Sequence, residues 1–438
     1  NNRMHIKHFL IFLLLLNFPA LATAAPKIEH WLTENGVRAY FIETHALPVV
    51  DVNLVFNAAS AREPAEKQGL AMLTSDMLLE GSGELDSKAI AEGFEDRGAQ
   101  IGTSSHRDMA IVSLRSLSAE QYLDPVIDLL AKVLIDPAFP EENLEREKAR
   151  SLQALDQSLQ RPNTVAQRKL YELLYNGHPY ANHPSGTHAS IKSISRQDVL
   201  EFYRQYYVAS NLVIAVVGDL SLVEAKQLVK RLSAQLPKGN AVPTLPEAPA
   251  IKAAEVRIDF PSTQSHVMTG YLGIQRSDTR FLALKVGNYS LGGGGFQSRL
   301  MDEIREKRGL SDGTYSYFQP MQKTGPFIAS LSTRNDQAIQ AFTVSNEVID
   351  DFLKTGPTEK EVELAKKNIT GGFPLTIDSN KNLVSTLAAI GFYSLPLDYL
   401  DTYIDRVNAL TRKEITEAMQ SVLGSASRVT VIVGEEQK

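Results

Sequence analysis

His178, His183 and His188 recur every five residues in a loop rich in Pro and Gly, and imidazole is the commonest metal ligand in proteins. Ligands that share one face of a helix sit four residues apart. A step of five in a loop therefore reads as a solvated or hydrogen-bonded segment rather than a metal site. His106, at the start of an expected strand, reads as a surface residue. The chain has no cysteine and no G-x-S-x-G elbow between a strand and a helix, so neither thiolate nor serine acyl chemistry has a carrier. There remains the run Gly292, Gly293, Gly294 and Gly295. Repeated glycine permits close backbone approach to a ligand, and serves equally in a turn between helices that needs left-handed dihedrals.

The elements that must position these residues fall into two similar halves. A chain of 438 residues exceeds the size at which one core usually keeps growing. In the alternating run Val49 to Asn57, Val50, Val52, Leu54 and Phe56 share one face of a strand. The expected counterpart of Val52 to Asn57 is Met268 to Gly273. Pro140 opens an acidic helix over Glu141 to Leu155 and Pro357 opens a similar one over Thr358 to Thr370, while Leu212 to Gly218 is matched by Val429 to Gly434. These landmarks repeat at offsets of 216, 217 and 216 residues (268 minus 52, 357 minus 140, 434 minus 218), a period far longer than that of a solenoid. The first half places strands first, then helices over about 65–80 and 86–98, a hairpin near 100–115 and long helices before the last strand. Such segregation predicts an α+β class with two homologous domains, each an antiparallel-rich sheet with helices packed on one face. The segment Pro237 to Pro249, with four prolines, reads as an extended linker between domains at 26–236 and 250–438.

Arg3, His5 and Lys7 precede the apolar run Phe9 to Leu16 and the small-residue stretch Ala20 to Ala25. That pattern is a secretory signal peptide over residues 1–25, cleaved near Ala22 to Ala25. The apolar run is too short for a stable span, and no later stretch approaches about 18 unbroken apolar residues. An exported chain without cysteine has no disulfide framework, which is compatible with the periplasm of a Gram-negative bacterium, the expected location. The net charge of −6 without clustered Lys and Arg gives no footprint for nucleic acid or an anionic membrane. A hydrophobic share of 43% with 22% charged residues supports a real core and excludes disorder.

Several stretches now combine. Asn35-Gly-Val-Arg38, Ala61-Arg-Glu-Pro64, Gly69-Leu-Ala-Met-Leu-Thr-Ser-Asp-Met-Leu-Leu-Glu-Gly-Ser82, Gly98-Ala99, His178-Pro-Tyr180, Pro184-Ser-Gly-Thr187, Phe202-Tyr-Arg-Gln-Tyr-Tyr207 and Val217-Gly-Asp219 lie in the first half. Leu291 to Gly295, Ser298-Arg-Leu300 and Ile304-Arg-Glu-Lys-Arg-Gly-Leu310 lie in the second. In order and spacing the chain resembles pitrilysin-type (insulinase-type) zinc peptidases over nearly its whole mature length. In that family the first helix carries H-x-x-E-H, two histidines that hold zinc and a glutamate that polarises water, and a distant glutamate completes the site. Placing the pattern here puts Met72 and Asp76 at the histidines, Ser75 at the glutamate and the third ligand near Gln153. A thioether, a lone carboxylate, a hydroxyl and a neutral amide give zinc very little. The resemblance therefore implies a zinc-free member without catalytic residues, with zinc expected only in a partner chain. Met72 suits the helix core beside Leu70, Leu73 and Met77 as well as a cavity. Asp76 requires a wet chamber or a basic partner.

Short members of the family work as two-chain clamshells enclosing a peptide, and some pair a zinc-bearing chain with a zinc-free one. By resemblance the zinc-free chain contributes a glycine-rich segment, matched by Gly292 to Gly295, and an arginine, matched by Arg305, to hold the peptide. The tyrosine that commonly follows seven residues later is Asp312 here, with Tyr315 and Tyr317 as out-of-register substitutes, and Arg305 alternatively pairs with Asp312 or Glu303. Peptide capture would proceed by addition to a sheet edge, for which Gly98 to Ser105 is the first candidate. The resemblance thus implies a peptide-binding, non-catalytic subunit in a heterodimer with a zinc-bearing homologue. The alternatives are a structural or assembly scaffold, as zinc-free relatives in respiratory complexes imply, and a metallopeptidase with an atypical site.

Overall fold

The computed structural model describes residues 26–436; the signal-peptide reading falls outside them. The first half builds β1 (Glu29–Leu32), β2 (Arg38–Glu43), β3 (Val49–Phe56), β4 (Gln100–Ser105), β5 (Ala110–Leu117) and β6 (Leu212–Gly218) into a six-stranded sheet of order β1-β2-β6-β3-β5-β4. Only β2 and β6 pair in parallel. Its helices include α1 (Leu70–Met77), α2 (Glu141–Leu159) and α3 (Pro162–Leu174). The second half builds β7 (Ala254–Asp259), β8 (Gln264–Leu272), β9 (Gly313–Phe318), β10 (Pro326–Arg334) and β11 (Val429–Gly434) into a five-stranded sheet of order β9-β10-β8-β11-β7, with β11 and β7 parallel. Its helices include α4 (Phe281–Asn288), α5 (Glu359–Gly372) and α6 (Asn380–Phe392). Two homologous α+β domains result, each a sheet with its own helices on one face.

The repeat is shifted by one residue between β3 and β8. Val52 pairs with Val216 and Val267 pairs with Ile432, while Val216 and Ile432 are themselves equivalent at an offset of 216. The partner of Val52 in the second half is therefore Val267, an offset of 215 (267 minus 52), not Met268 as the sequence landmarks suggest. A slip of one residue inverts every side chain. Val52 and Val267 each face their own domain's helices, and Met268 faces the opposite way.

That opposite face is covered by the other half. Helix α3 lies across β8 and β11, packing Ala166, Leu170, Tyr171 and Leu174 on Met268, Ile328, Val429 and Val431. Helix α6 lies across β2, β6 and β3, packing Val384, Leu387 and Ala388 against Tyr40, Ile42, Val55 and Val213. Each half thus lends its sheet-covering helix to its neighbour. A fully buried Leu or Val contributes about 1.5–3 kcal/mol, so these exchanged faces dominate the attachment of one half to the other. Gly391 allows the approach of α6, because a Cβ there would stand 2.7 Å from Tyr40 Cε2 and from Val213 Cγ1.

The proline-rich segment contains no helix or strand, but it is a strap rather than a free tether. The Ala209 amide donates to Pro237 O at 2.9 Å, Arg62 Nη1 donates to Pro243 O at 2.6 Å, His178 Nε2 lies 2.9 Å from Pro246 O, and Leu245 is buried. No helix among the described residues is long and apolar enough to cross a membrane.

Candidate functional site

Helix α1 begins where Gly69 adopts a left-handed φ of 93°, a conformation costly for other residues. Glu63 holds this start, its Oε1 accepting from Gly69 N at 3.1 Å and its Oε2 from Ala71 N at 2.9 Å. Leu70, Leu73 and Met77 enter the core. Met72 and Asp76, at i and i+4, stay half-buried on a shared face, so Met72 is not a core residue. Ser75 is turned inward and buried. Its hydroxyl and that of Tyr207 neighbour one another outside hydrogen-bonding geometry, and neither has a partner. Such a sealed hydroxyl cannot act on a water at the exposed face of α1.

Across from α1 lies α2, where Glu147 reaches Asp76; Gln153 is exposed and lies about 240° round the helix from it. Glu147 is buried and pairs with Arg150 at 3.2 Å. Sequence reasoning missed Glu147, although Leu144, Lys148 and Leu155 define a buried stripe beside it. Among the described residues Asp76 makes neither an ion pair nor a side-chain hydrogen bond. Burial first, then Glu147 and Glu80, with Arg150 opposing, together push its carboxyl up to about 6. The donors gathered here are a thioether, a carboxylate held above its ordinary range and a second carboxylate committed to an arginine. Zinc sites need three or four deprotonated N, S or O donors, and among the described residues no group of three or more His, Cys, Asp or Glu is placed to hold a metal ion. The set does not fit zinc, and no hydrolytic step follows from it.

A pH dependence does. An acid whose folded pKa is raised above the unfolded value of 3.8 contributes stability below that value and loses it as pH rises through about 6. Asp76→Asn is expected to stabilise the chain by about 1–2 kcal/mol at pH 7.5, a gain that vanishes below pH 4. Urea denaturation at the two pH values checks this.

The histidines do not converge. His178 accepts from the Tyr180 amide at 3.0 Å while its other nitrogen faces the strap. His183 interacts with Ser185, and burial, with Arg168 and Arg107, pushes it down to about 3. His188 lies 2.6 Å from Asp156. His106 is exposed as expected, but it sits in the turn after β4 and not at a strand start.

In the second half the glycine run has packing reasons of its own. A Cβ at Gly292 would stand 2.3 Å from Ser316 Oγ, at Gly293 2.7 Å from Asn288 Nδ2, and at Gly294 2.7 Å from Tyr289 O. Gly295 alone of the four has open surroundings and a left-handed φ, 58°. Beside it Phe296 is exposed, with the Arg305 guanidinium 4.8 Å from its ring centre. Arg305 pairs loosely with Glu306 at 3.7 Å, whereas Glu303 is held by Lys307 and Arg308. Asp312 is exposed. Tyr315 is exposed and stacks on Tyr317 at 6.0 Å along β9. Both β4 and β9 are edge strands, as proposed for Gly98 to Ser105.

A duplicated fold with a degenerate zinc helix has counterparts. The family description "Insulinase (Peptidase family M16)" matches residues 39–188, and "Peptidase M16 inactive domain" matches residues 193–369. The crystal structure of a peptidase M16 inactive domain from Pseudomonas fluorescens superposes with a TM-score of 0.90 at 40% identity, covering 94% of this chain and 99% of that one. The chain belongs to the M16 (insulinase) peptidase family. Within it, this is a zinc-free, non-catalytic member. The non-peptidase homolog YmxG of Helicobacter pylori is 26% identical over 435 residues, 99% of this chain and all of that protein. The uncharacterized zinc protease YmxG of Bacillus subtilis is 24% identical over 408 residues, 91% of this chain and 98% of that protein. The periplasmic protease PqqL of Escherichia coli shares the fold, with a TM-score of 0.79 at 16% identity over 94% of this chain and 46% of PqqL.

Proposed function

We propose that this chain is the peptide-holding, non-catalytic subunit of a periplasmic two-chain peptidase whose other chain is a homologue carrying H-x-x-E-H and zinc. The observation that carries the reading is the state of α1. Its two partly exposed positions, Met72 and Asp76, share one face while the donor set is gone. A peptide is held by main-chain hydrogen bonds to an open sheet edge, β4 or β9, with Gly295, Arg305 and Tyr315 closing on it from the second half. The glycines Gly292, Gly293 and Gly294 shape that wall by packing against Ser316, Asn288 and Tyr289. The export pattern at the N-terminus supports the periplasmic location.

Co-expression with a secreted homologue that keeps H-x-x-E-H tests the reading. Peptide hydrolysis is expected to be absent from this chain alone and to appear, or rise at least about tenfold over the homologue alone, when both are present. Hydrolysis by the homologue unchanged by this chain, with no complex formed, would leave a scaffold role as the better account.

A further inference from the structure

Three arginines, Arg62, Arg107 and Arg168, gather where the two halves meet, and the carboxylate of Asp108 acts on the first two of them. Arg107 lies in the turn that follows edge strand β4, its guanidinium 3.6 Å above the Tyr171 ring and its Nε donating to Tyr180 O at 3.2 Å. Arg168 stands one turn before Tyr171 on α3, so the two guanidiniums are neighbours, and it donates to Gly186 O at 3.2 Å. Arg62 donates to Asn57, to Pro243 O and to Gln322. Every acceptor named is neutral. The carboxylate of Asp108, close to Arg62 and Arg107, accepts from the Tyr180 and Tyr393 hydroxyls and the Gln322 amide. The charged group acting on Arg168 is Arg107, of like sign, and burial holds both guanidiniums below their ordinary pKa.

Asp108 acts on Arg107 and Arg62, but no carboxylate acts on Arg168, and a charge kept beside a like charge without its own counter-ion is costly in a partly dry site. Arg168 is half-buried and so remains reachable by a ligand, while the Arg107 guanidinium beside it is enclosed against the Tyr171 ring. Edge strand β4 runs into the Arg107 turn. From the other sheet, edge strand β9 brings Tyr317 against the same end of α3. A peptide lying along either edge would pass this point. Guanidinium groups favour carboxylates through paired, charge-assisted hydrogen bonds.

We propose that Arg168, with Arg107 beside it, forms a carboxylate-binding site where the two open sheet edges converge, which takes a negatively charged group of the bound peptide. The inference rests on the peptide-holding reading above and adds a preference to it: acidic peptides, or peptides with a free C-terminus, are selected. His183 beside the pair stays neutral and does not compete for the anion.

Titration calorimetry on the full chain with three short Ala/Ser peptides tests this: one with a free C-terminal carboxylate, one amidated, and one amidated with a single internal Glu. At least one acidic form is expected to bind about tenfold more tightly than the neutral amide, a difference that shrinks with added salt. Which form it is tells a C-terminal from a side-chain carboxylate. Arg168→Gln is expected to abolish the difference while leaving the neutral peptide's affinity unchanged, and Arg168→Lys, which keeps the charge but loses the paired donors, to retain only part of it. If all three peptides bind alike, or if Arg168→Gln weakens all three equally, the carboxylate site is wrong and the peptide-holding reading survives. If none binds, both fall.

Discussion

Asp108→Ala is expected to cost about 3–5 kcal/mol of stability, although Asp108 lies in a turn and outside every helix and strand. Its carboxylate is buried and ties the halves together. Oδ1 accepts from Tyr180 Oη at 2.7 Å, and Oδ2 accepts from the Gln322 amide at 2.6 Å and from Tyr393 Oη at 3.2 Å. Tyr180 belongs to the first half, Gln322 and Tyr393 to the second, and Tyr180 Oη itself accepts from the Lys323 amide at 3.0 Å. Truncation strands three donors in a region that water cannot freely enter and removes the one negative charge beside Arg62 and Arg107. Asp108→Asn keeps the shape and one acceptor, so its cost should fall between wild type and alanine. Urea unfolding monitored by circular dichroism measures both. A loss below about 1 kcal/mol for alanine would show that water replaces the carboxylate and that the seam is wet.

Gly391→Leu is expected to cost about 3 kcal/mol or more and to do its damage in the other half of the chain. The first atom of the new side chain would meet Tyr40 and Val213, both buried in the first sheet, and neither can swing into solvent. Helix α6 must lift from β2 and β6, uncovering Ile42, Val55 and Ala215. Hydrogen exchange should therefore rise in Arg38–Glu43 and Leu212–Gly218, while β8 and β10, away from the substitution, keep their protection. Loss of protection confined to α6 itself would contradict the exchange of helices as the main attachment.

Much of this architecture was legible. Leu212–Gly218 and Val429–Gly434 are bounded correctly because short runs dominated by Val and Ile favour a strand buried on both faces over a helix. The same property hid the register of β8. Val267, Thr269 and Tyr271 face one side and Met268, Gly270 and Leu272 the other, and since both sides are covered no polar face marks the phase. Helices α3 and α6 showed apolar stripes, but a stripe says only that a face is buried, not against which sheet. Asp76 was legible as a problem residue, since an acid on a half-buried helix face needs a cause. Its neighbour Glu147 was not, because meeting it depends on how α2 crosses α1. Asp108 was invisible for a related reason: its partners Gln322 and Tyr393 come from more than 200 positions further along the chain.

Zinc content of the purified chain tests the central claim, that the site on α1 is chemically spent. Plasma mass spectrometry after dialysis against trace zinc is expected to find below about 0.1 zinc per chain, unchanged by Asp76→Ala, since a thioether and one protonation-prone carboxylate cannot outcompete water for the ion. About one zinc per chain, lost on Asp76→Ala, would contradict the account.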